Sequence, residues 1–476
     1  MNDYLVKEKP GKLLLKFAIP CILSLLISAL YNIVDQIFIG NSSEGALGNT
    51  ATTIVFPLTC IALAFGLMLG DGAASYISLC LGRKDDKKIG NIVGSVITVG
   101  VIISALFLII CFPLLRNILS FFGAKTEESL AKSYEYGFVI LIGVPFYILM
   151  NALNSIIRAD GSPKTAMISM VTGAVINIVL DAIFILAMNM GVFGAALATI
   201  IGQFASFLIS VFYIIFKTKT FKLKLKDFKV DFHCLLSTLK LGVSSFLTQI
   251  SIVIISVTSM NMLALYGAQS KYGINDPQAI IGVVMKVFTI VVNIAVGIAA
   301  GAQPIIGYNY GAGEVKRVKE LLKLVLVSNI ILGVIATLLF ELIPGQIVSI
   351  FGSNSSNPEN YLEFGVLAMR IYLGGILFTL IQKVTSIFLQ AIDKPIKSTL
   401  LSLIRDVIAM VTFTVTLPLG MGLMGVLWAA PLSDVFGIIF SVIFLIIEIR
   451  KLDKMCQTKS EDIYGQDNEL EIENKQ

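Results

Sequence analysis

The sequence predicts an all-α polytopic membrane protein, with twelve transmembrane helices arranged as two parallel six-helix repeats around a central cavity. Three observations support this prediction. Hydrophobic residues make up 56% of the 476 positions and charged residues only 14%, which excludes an ordinary soluble domain. Twelve apolar segments are each long enough to cross a bilayer. Landmarks in the first half of the chain recur at a nearly constant distance in the second half.

The predicted spans follow one another with short loops between them. In chain order they lie near 13–39, 50–80, 90–115, 134–157, 163–188, 192–216, 239–267, 277–303, 315–342, 360–390, 394–420 and 424–448. Each provides the roughly 20 residues that a helix needs to cross the hydrocarbon core. The first span has no small-residue cleavage site, so we expect it to be retained rather than removed as a signal peptide.

Lysine and arginine are distributed unequally between the loops. With both chain ends in the cytoplasm, the inside segments hold 28 basic residues, and the outside loops hold only Arg116, Lys125, Lys132 and Lys271. Because basic loops stay on the cytoplasmic side, this distribution predicts cytoplasmic termini. We expect a multi-pass protein of the plasma membrane, a bacterial inner membrane, in contact with its lipids. The net charge of +5 belongs to these loops, so no nucleic-acid partner is expected.

Four landmarks of the first half recur in the second half. The pairs are Gly82 and Gly311, Gly123 and Gly352, Pro163 and Pro395, and Gly194 and Gly425, which are 229 to 232 residues apart. An even number of spans in each half makes the two repeats parallel. We predict an amino-terminal lobe (1–216), a basic cytoplasmic connector (217–238), a carboxyl-terminal lobe (239–450) and a disordered acidic tail (451–476). The connector fits either a segment on the anionic inner leaflet or a solvated linker.

The fifth span carries an acidic residue, Asp181, inside an apolar run and one helical turn after Asn177. A carboxylate at the centre of a membrane helix costs roughly 2.5–3.5 kcal/mol on insertion scales, so it is a functional-site candidate by default. Met170 and Phe184 continue the same face as a soft apolar surface. A polar pair that only joins two helices remains the alternative.

Three other spans carry polar residues at helical spacing, which is typical of helices that line a water-filled cavity. The stripes are Ser24, Ser28, Tyr31 and Asp35 in the first span, Tyr147, Asn151, Asn154 and Arg158 in the fourth, and Thr199, Gln203, Ser206 and Ser210 in the sixth. The residues predicted to line a substrate cavity are Tyr31, Tyr147, Asn151, Asn154, Met170, Phe184, Gln203 and Lys286.

These features resemble the multidrug and toxic compound extrusion (MATE) family. The similarity lies in the twelve spans, the paired halves, the Gly-rich loops after spans two and eight, and the strings YNIVDQIFIG (31–40), RADGSP (158–163) and GVFGAA (191–196). It covers roughly residues 13–447. The resemblance implies a cation-coupled antiporter that exports lipophilic, mainly cationic compounds by alternating access.

The resemblance also implies a cation-coupling site in the amino-terminal lobe. In family members with such a site, an Asp of the first helix faces an Asn and an Asp of the fifth and a Thr of the sixth. The matching residues here are Asp35, Asn177, Asp181 and Thr199. Two carboxylates in a low-dielectric cavity suit a proton carrier, and the same oxygens suit Na⁺, so the coupling ion stays open. We expect no cofactor, no structural metal and a monomer.

The carboxyl-terminal half differs from this pattern. The seventh span has no acidic residue, and Glu363 lies only at the mouth of the tenth, so a second cation site is not expected. The charges predicted within its spans are Lys286, Lys383, Arg405, Asp406 and Asp434. Arg405 and Asp434 stand at similar depths in adjacent spans, which predicts a structural ion pair. Asp71, between two glycines of the second span, has no assigned role.

Other functions fit the residues less well. The basic residues of the carboxyl-terminal half leave a lipid-linked saccharide flippase of the same superfamily as the alternative, although the amino-terminal cavity is acidic. The major facilitator architecture also has parallel halves, but it does not account for the Asp35, Asn177, Asp181 and Thr199 set. An enzyme is not expected, because the single histidine, His233, lies in a loop and no cysteine has metal-ligand spacing.

Overall fold

The computed structural model describes residues 3–40, 42, 44–124, 126–273, 275–350 and 358–473, and it is helical almost throughout them. These ranges contain no strand, so the predicted all-α fold is confirmed. Lys125, one of the basic residues predicted outside, and residues 474–476 of the predicted tail lie outside the described residues.

Six helices form the amino-terminal lobe. They are Pro10–Gly40, Gly45–Gly82, Ile89–Phe122, Glu127–Ala159, Pro163–Asp181 and Gly191–Phe216. The fifth span continues as a π-helix over Ala182–Ala187. The second span packs against the fourth, the fourth against the sixth, and the fifth against both the first and the sixth. The fifth span therefore has the first and sixth as neighbours, as the predicted site requires.

The carboxyl-terminal lobe repeats this plan with more interruptions. Its spanning helices are Phe232–Gly267, Asn275–Gly311, Val315–Leu342, Pro358–Tyr372 with Ile376–Ala391, Pro395–Ser402 continuing to Met421, and Leu423–Glu473. A short helix, Pro344–Ile350, follows the ninth span. The tenth predicted span is two helices bent by 44° at residues 373–375. Counting this pair as one span gives the twelve predicted spans within the described residues. The bend was not predicted; it occurs at Gly374 and Gly375, which are poor helix formers.

The two lobes touch at one end of the bundle, which we call the basic end because the lysine-rich loops 83–88 and 217–231 lie there. In the contact between the second and seventh spans, Gly72 lies against the carbonyl of Thr238 and Gly242 against the carbonyl of Met68. A Cβ at either glycine would overlap these backbone atoms. The glycines therefore allow the helices to meet backbone to backbone.

The first and eighth spans meet in the same way. Gly301 packs against Ala18 and Gly297 against Ile22, again with no room for a Cβ. Gly282 lies further from the basic end on the same side of the eighth span, and nothing stands within 4 Å of its Cβ position. Close packing between these two spans therefore lies toward the basic end and does not reach Gly282, from which we infer a cleft between the lobes beyond that end.

The basic connector is folded against the amino-terminal lobe. The third span provides Thr98, whose hydroxyl donates to the Phe228 carbonyl at 2.9 Å, and Ser95, which accepts from the Asp231 amide at 3.0 Å. Asp160 accepts the amides of Lys219 and Thr220 at 2.8 and 2.9 Å. The connector is therefore a docked element rather than a solvated linker, and its contact with the inner leaflet stays a prediction.

The seventh span begins inside the predicted connector. Asp231 caps it at Phe232, because its Oδ1 accepts the amides of His233 and Cys234 at 3.0 and 3.2 Å. These bonds, that of Cys234 first, lower the pKa of Asp231 below its usual value. The sequence predicts this start later, near residue 239, because the apolar run begins there.

The last helix continues to Glu473, whereas the sequence predicts disorder from residue 451. Leu452 is buried in the core, and Asp453 pairs with Lys319 of the ninth span. Extending a helix that already exists needs no new nucleation, and no proline interrupts the segment. Polar composition alone therefore did not identify the end of this helix.

Candidate functional site

Asp181 ends the α-helical part of the fifth span at a place where the backbone changes. The following residues, Ala182–Ala187, form a π-helix, a widened turn that is frequent at functional sites. Asp181 is fully buried and Asn177 is 2% exposed. The predicted polar pair therefore lies inside the lobe.

The fifth and sixth spans approach closely beside this pair. Gly173 and Gly202 lie against each other's carbonyls, so neither position has room for a side chain. This contact brings Asn177 next to Thr199, and the amide Nδ2 donates to Thr199 Oγ1 at 3.4 Å. The structure thus joins two of the predicted ligands by a hydrogen bond.

The first span adds Asp35, which is 7% exposed. Its carboxylate is close enough to Asp181 for the two charges to interact. The phenol groups of Tyr31 and Tyr136 lie within electrostatic reach of both carboxylates. Asp35, Asn177, Asp181 and Thr199 therefore occupy one region, as predicted.

Tyr136 of the fourth span is a site residue that the sequence interpretation missed. It lies eleven residues, or three helical turns, before Tyr147 and so belongs to the same helix face. The predicted polar stripe on that face begins only at Tyr147, because the intervening residues Ile140 and Gly143 are apolar. Continuing the stripe by the helical period reaches Tyr136.

The buried oxygens of this region lack hydrogen-bond donors. Among the residues that the structure describes, Asp35 Oδ1, Asn177 Oδ1 and both carboxylate oxygens of Asp181 have no partner. An unsatisfied buried acceptor costs about 1–3 kcal/mol, and more when it is charged. All four are oxygens, so a hard cation such as Na⁺ could be ligated by several of them, and a proton could neutralise one of the carboxylates. The donor set thus fits the predicted coupling ions.

No group of three or more His, Cys, Asp or Glu side chains able to hold a metal occurs in the described part of the chain. A metal ion at this place would therefore depend on two carboxylates with the oxygens of Asn177 and Thr199. That number of charges is suited to a monovalent ion rather than to a structural divalent metal.

Most of the predicted cavity residues are half-buried: Tyr31, Tyr147, Asn151, Met170, Phe184, Gln203 and Lys286. Asn154 differs. It is 1% exposed, and its Oδ1 accepts from Ser210 at 3.5 Å in a cluster that includes Ser169 and Ser206. This part of the polar stripes joins helices, because buried hydroxyl groups bond to one another where spans pack closely.

The carboxyl-terminal lobe contains the predicted ion pair. Asp434 Oδ1 accepts from Arg405 Nε at 2.9 Å, from Arg405 Nη2 at 2.6 Å and from Thr379 Oγ1 at 2.7 Å. Arg405 Nη1 also donates to Asp406 at 2.8 Å, and Lys383 pairs with the other oxygen of Asp406 at 2.6 Å. Two cations and two anions therefore neutralise one another.

Comparison with known proteins decides the family. A family model described as MatE matches residues 20–183 and 244–425, which is more than half of the chain. The chain belongs to the MatE family. The two matched segments fall in the two halves that the internal repeat defines.

Relatives of this MatE-family chain cover nearly its whole length. Multidrug export protein MepA of Staphylococcus aureus (strain MSSA476) is 26% identical over 433 residues, which are 90% of this chain and 92% of that protein. A structure described as the outward-facing conformation of a multidrug resistance MATE family transporter has a TM-score of 0.85 at 24% identity, covering 94% of this chain and 98% of its own. A crystal structure of MATE in complex with MaL6 has a TM-score of 0.86 at 23% identity, covering 95% and 99%.

In this MatE-family chain, Asp71 connects the lobes. Its Oδ1 accepts from Ser155 of the fourth span and its Oδ2 from Ser245 of the seventh, both at 3.0 Å. A second bond joins the lobes nearby, from Gln303 Nε2 to Ser75 Oγ at 2.7 Å. Both bonds lie at the basic end, where they reinforce the closure made by the glycines.

Proposed function

We propose that this MatE-family chain is a cation-coupled antiporter that exports lipophilic, mainly cationic compounds across the plasma membrane by alternating access. Asp35, Asn177, Asp181 and Thr199 bind the coupling ion, H⁺ or Na⁺. The protein works as a monomer without a cofactor, and the basic end faces the cytoplasm. The named relatives are multidrug export and multidrug resistance proteins, which supports this proposal.

The observation that carries the proposal is the set of four buried oxygens without donors in the amino-terminal lobe. Buried carboxylate oxygens without donors are costly, so an ion that arrives down its gradient stabilises the conformation that contains this arrangement of the first and fifth spans. Cargo that binds in the cleft stabilises a conformation with a different arrangement. Ion and cargo then exchange across the membrane in opposite directions.

The cleft surfaces suit adaptable binding. Met170 and Phe184 are half-buried on the helix that carries Asp181, and Tyr31 lies one turn before Asp35. Thioether and aromatic side chains adapt to cargo of different shapes, and aromatic rings attract organic cations. The flippase alternative needs a strongly basic cavity, and it loses support because Asp406 and Asp434 neutralise Lys383 and Arg405.

The test is transport by purified protein in proteoliposomes loaded with a lipophilic cationic dye. An imposed proton or Na⁺ gradient should drive the dye in the direction opposite to the ion, and the ion that does so is the coupling ion. Transport that ignores both gradients, or transport of lipid-linked saccharide in place of dye, would contradict the proposal.

A further inference from the structure

Lys286 is a charged residue that the ion pairs of the carboxyl-terminal lobe leave out. Of the five charges predicted within the spans of that half, Lys383, Arg405, Asp406 and Asp434 neutralise one another. Lys286 lies within the eighth span, nearer the end opposite the basic end, and is half-buried. It forms no hydrogen bond or ion pair with another residue in the described part of the chain. A cation inside a membrane span is costly, so an uncompensated one points to a function.

The packing of the eighth span shows where this side chain is directed. Near the basic end, Gly297 lies against Ile22 of the first span, and Asn293 Nδ2 donates to the Leu25 carbonyl at 3.3 Å. Lys286 stands seven residues before Asn293, which is two helical turns, so it lies on the same side of the helix. It is therefore directed toward the first span, about 10 Å further from the basic end.

At that level the close packing between the first and eighth spans has ended. Gly282 lies one turn beyond Lys286 on the same side, and its Cβ position has nothing within 4 Å. The antiparallel register that pairs Gly297 with Ile22 places Lys286 level with Ile33, next to Asn32, which is exposed. Lys286 thus extends into the cleft opposite the first span.

The two lobes consequently offer groups of opposite charge. The amino-terminal lobe holds the Asp35 and Asp181 carboxylates, which are buried inside it, interact with each other and have unpartnered oxygens. The carboxyl-terminal lobe contributes an ammonium group without a protein partner among the described residues. A compound that carries both a cationic group and a carboxylate matches both lobes, whereas a simple cation gains nothing from Lys286 and is repelled by it.

We propose that Lys286 binds a carboxylate of lipophilic cargo and so favours, among compounds with a cationic group, the zwitterions that also carry a carboxylate. This inference rests on the proposed export function and specifies its substrate class. The ammonium group, with three donors on a flexible stem, can follow carboxylates held at different positions in a wide cleft.

The test compares two dyes that differ in one group: a rhodamine zwitterion with a free carboxylate and its methyl ester, which is a cation. Binding to the purified full-length protein is measured by fluorescence anisotropy, and export by the proteoliposome assay. The variants are Lys286→Gln and Lys286→Arg. Lys316→Gln is the matched control, because Lys316 is an exposed lysine outside the cleft.

Lys286→Gln should weaken binding of the zwitterion by about tenfold or more, the loss expected for one charge-assisted hydrogen bond. Binding of the methyl ester should stay the same or become tighter. Lys286→Arg should restore the preference for the zwitterion, and Lys316→Gln should bind both dyes as the wild type does. This pattern separates recognition of the carboxylate from a structural role, because a structural defect would weaken both dyes.

Two results would overturn the inference, and they differ in what else they imply. If the wild type exports the methyl ester but Lys286→Gln treats both dyes as the wild type does, or weakens both equally, the proposed function stands and the role of Lys286 is wrong. If the wild type exports neither dye under any gradient, the proposed function is wrong and this inference is wrong with it.

Discussion

Asp181 and Asp434 are both buried carboxylates within membrane spans, but their surroundings differ. Asp434 accepts three hydrogen bonds from Arg405 and Thr379, so its charge is balanced by fixed groups. Asp181 has no partner for either oxygen among the described residues. A fixed partner makes a carboxylate structural, whereas a missing partner makes it available to a mobile ion.

Asp181→Asn should abolish gradient-driven export, because an amide cannot exchange a charge with the membrane gradient. The substitution is nearly isosteric, so the free energy of unfolding should fall by less than about 1 kcal/mol or rise, since an uncompensated buried charge is removed. Dye binding should persist, because the apolar surfaces of the cleft do not change. The measurement is dye transport in proteoliposomes, with folding followed by thermal unfolding. Export at the wild-type rate would place the coupling site elsewhere.

Asp434→Asn should reduce stability and leave the coupling to the ion gradient intact. It leaves Arg405 with one carboxylate, Asp406, which Lys383 already shares, so we expect a loss of about 3–5 kcal/mol in stability. The apparent melting temperature and the yield of folded protein should drop, while protein that does fold should still respond to the gradient. A stable Asp434→Asn protein that binds dye but cannot couple would show that the coupling site lies in the carboxyl-terminal lobe.

At the scale of helices, the sequence predicts the positions of the spans more accurately than the residues at which the helices end or bend. Span positions follow from the length of apolar runs, and the Arg405–Asp434 pair follows from equal depth in adjacent spans. The partner of Asp71 in the other lobe, Ser245, could not be predicted from the sequence. Nothing in the sequence distinguishes this serine, and only the contact between the lobes brings it near Asp71. The docking of the connector likewise depends on a close approach between Gly94 and the Asp227 backbone.

The amino-terminal segment, which contains the short helix Asp3–Lys7, also makes a contact between distant parts of the chain. Before it enters the first span, it lies on the carboxyl-terminal lobe, where Arg317 Nη2 donates to the carbonyls of Leu5 and Glu8 at 3.2 and 2.6 Å. Asn309 Nδ2 also donates to the Leu5 carbonyl, at 3.3 Å. This segment therefore holds the two lobes together across the basic end.

Arg317→Ala should release this segment. Two charge-assisted bonds to backbone carbonyls are lost, so hydrogen-exchange protection of residues 5–12 should fall by about tenfold or more. The melting temperature should change little, because the spans keep their packing. Arg317→Lys, which can donate to one carbonyl, should give an intermediate effect. Unchanged protection in Arg317→Ala would mean that the buried Leu5 side chain alone holds the segment.

At the scale of the whole molecule, orientation follows from charge. The basic end should face the cytoplasm, so a cysteine placed at Lys84 should react with an impermeant thiol reagent only after the membrane is opened. A cysteine at Met421, which is exposed at the other end of the bundle, should react in intact cells. The native cysteines are replaced beforehand; five of the six are buried. Labelling of the Lys84→Cys protein from outside would reverse the orientation.

Closure at the basic end and separation beyond it imply that transport requires the basic end to open. Ser75 and Gln303 join the lobes there through a 2.7 Å hydrogen bond, so a short thiol cross-linker between Ser75→Cys and Gln303→Cys should fix the closed arrangement. Export should stop when the cross-link forms and return when a cleavable linker is cut. Dye should still bind from the open side, because the cleft near Asn32 and Lys286 is unaffected.

The matched control is a cross-link within one lobe, between Ser169→Cys and Ser206→Cys, whose hydroxyls lie 2.8 Å apart on the fifth and sixth spans. It joins two neighbouring helices but leaves the lobes free to move relative to each other. If lobes rock as rigid units, export should survive this cross-link and fail only with the link between lobes. If export continues while Ser75→Cys and Gln303→Cys are linked, the cargo must cross the membrane without separation of the lobes at the basic end. Alternating access by lobe separation would then be wrong.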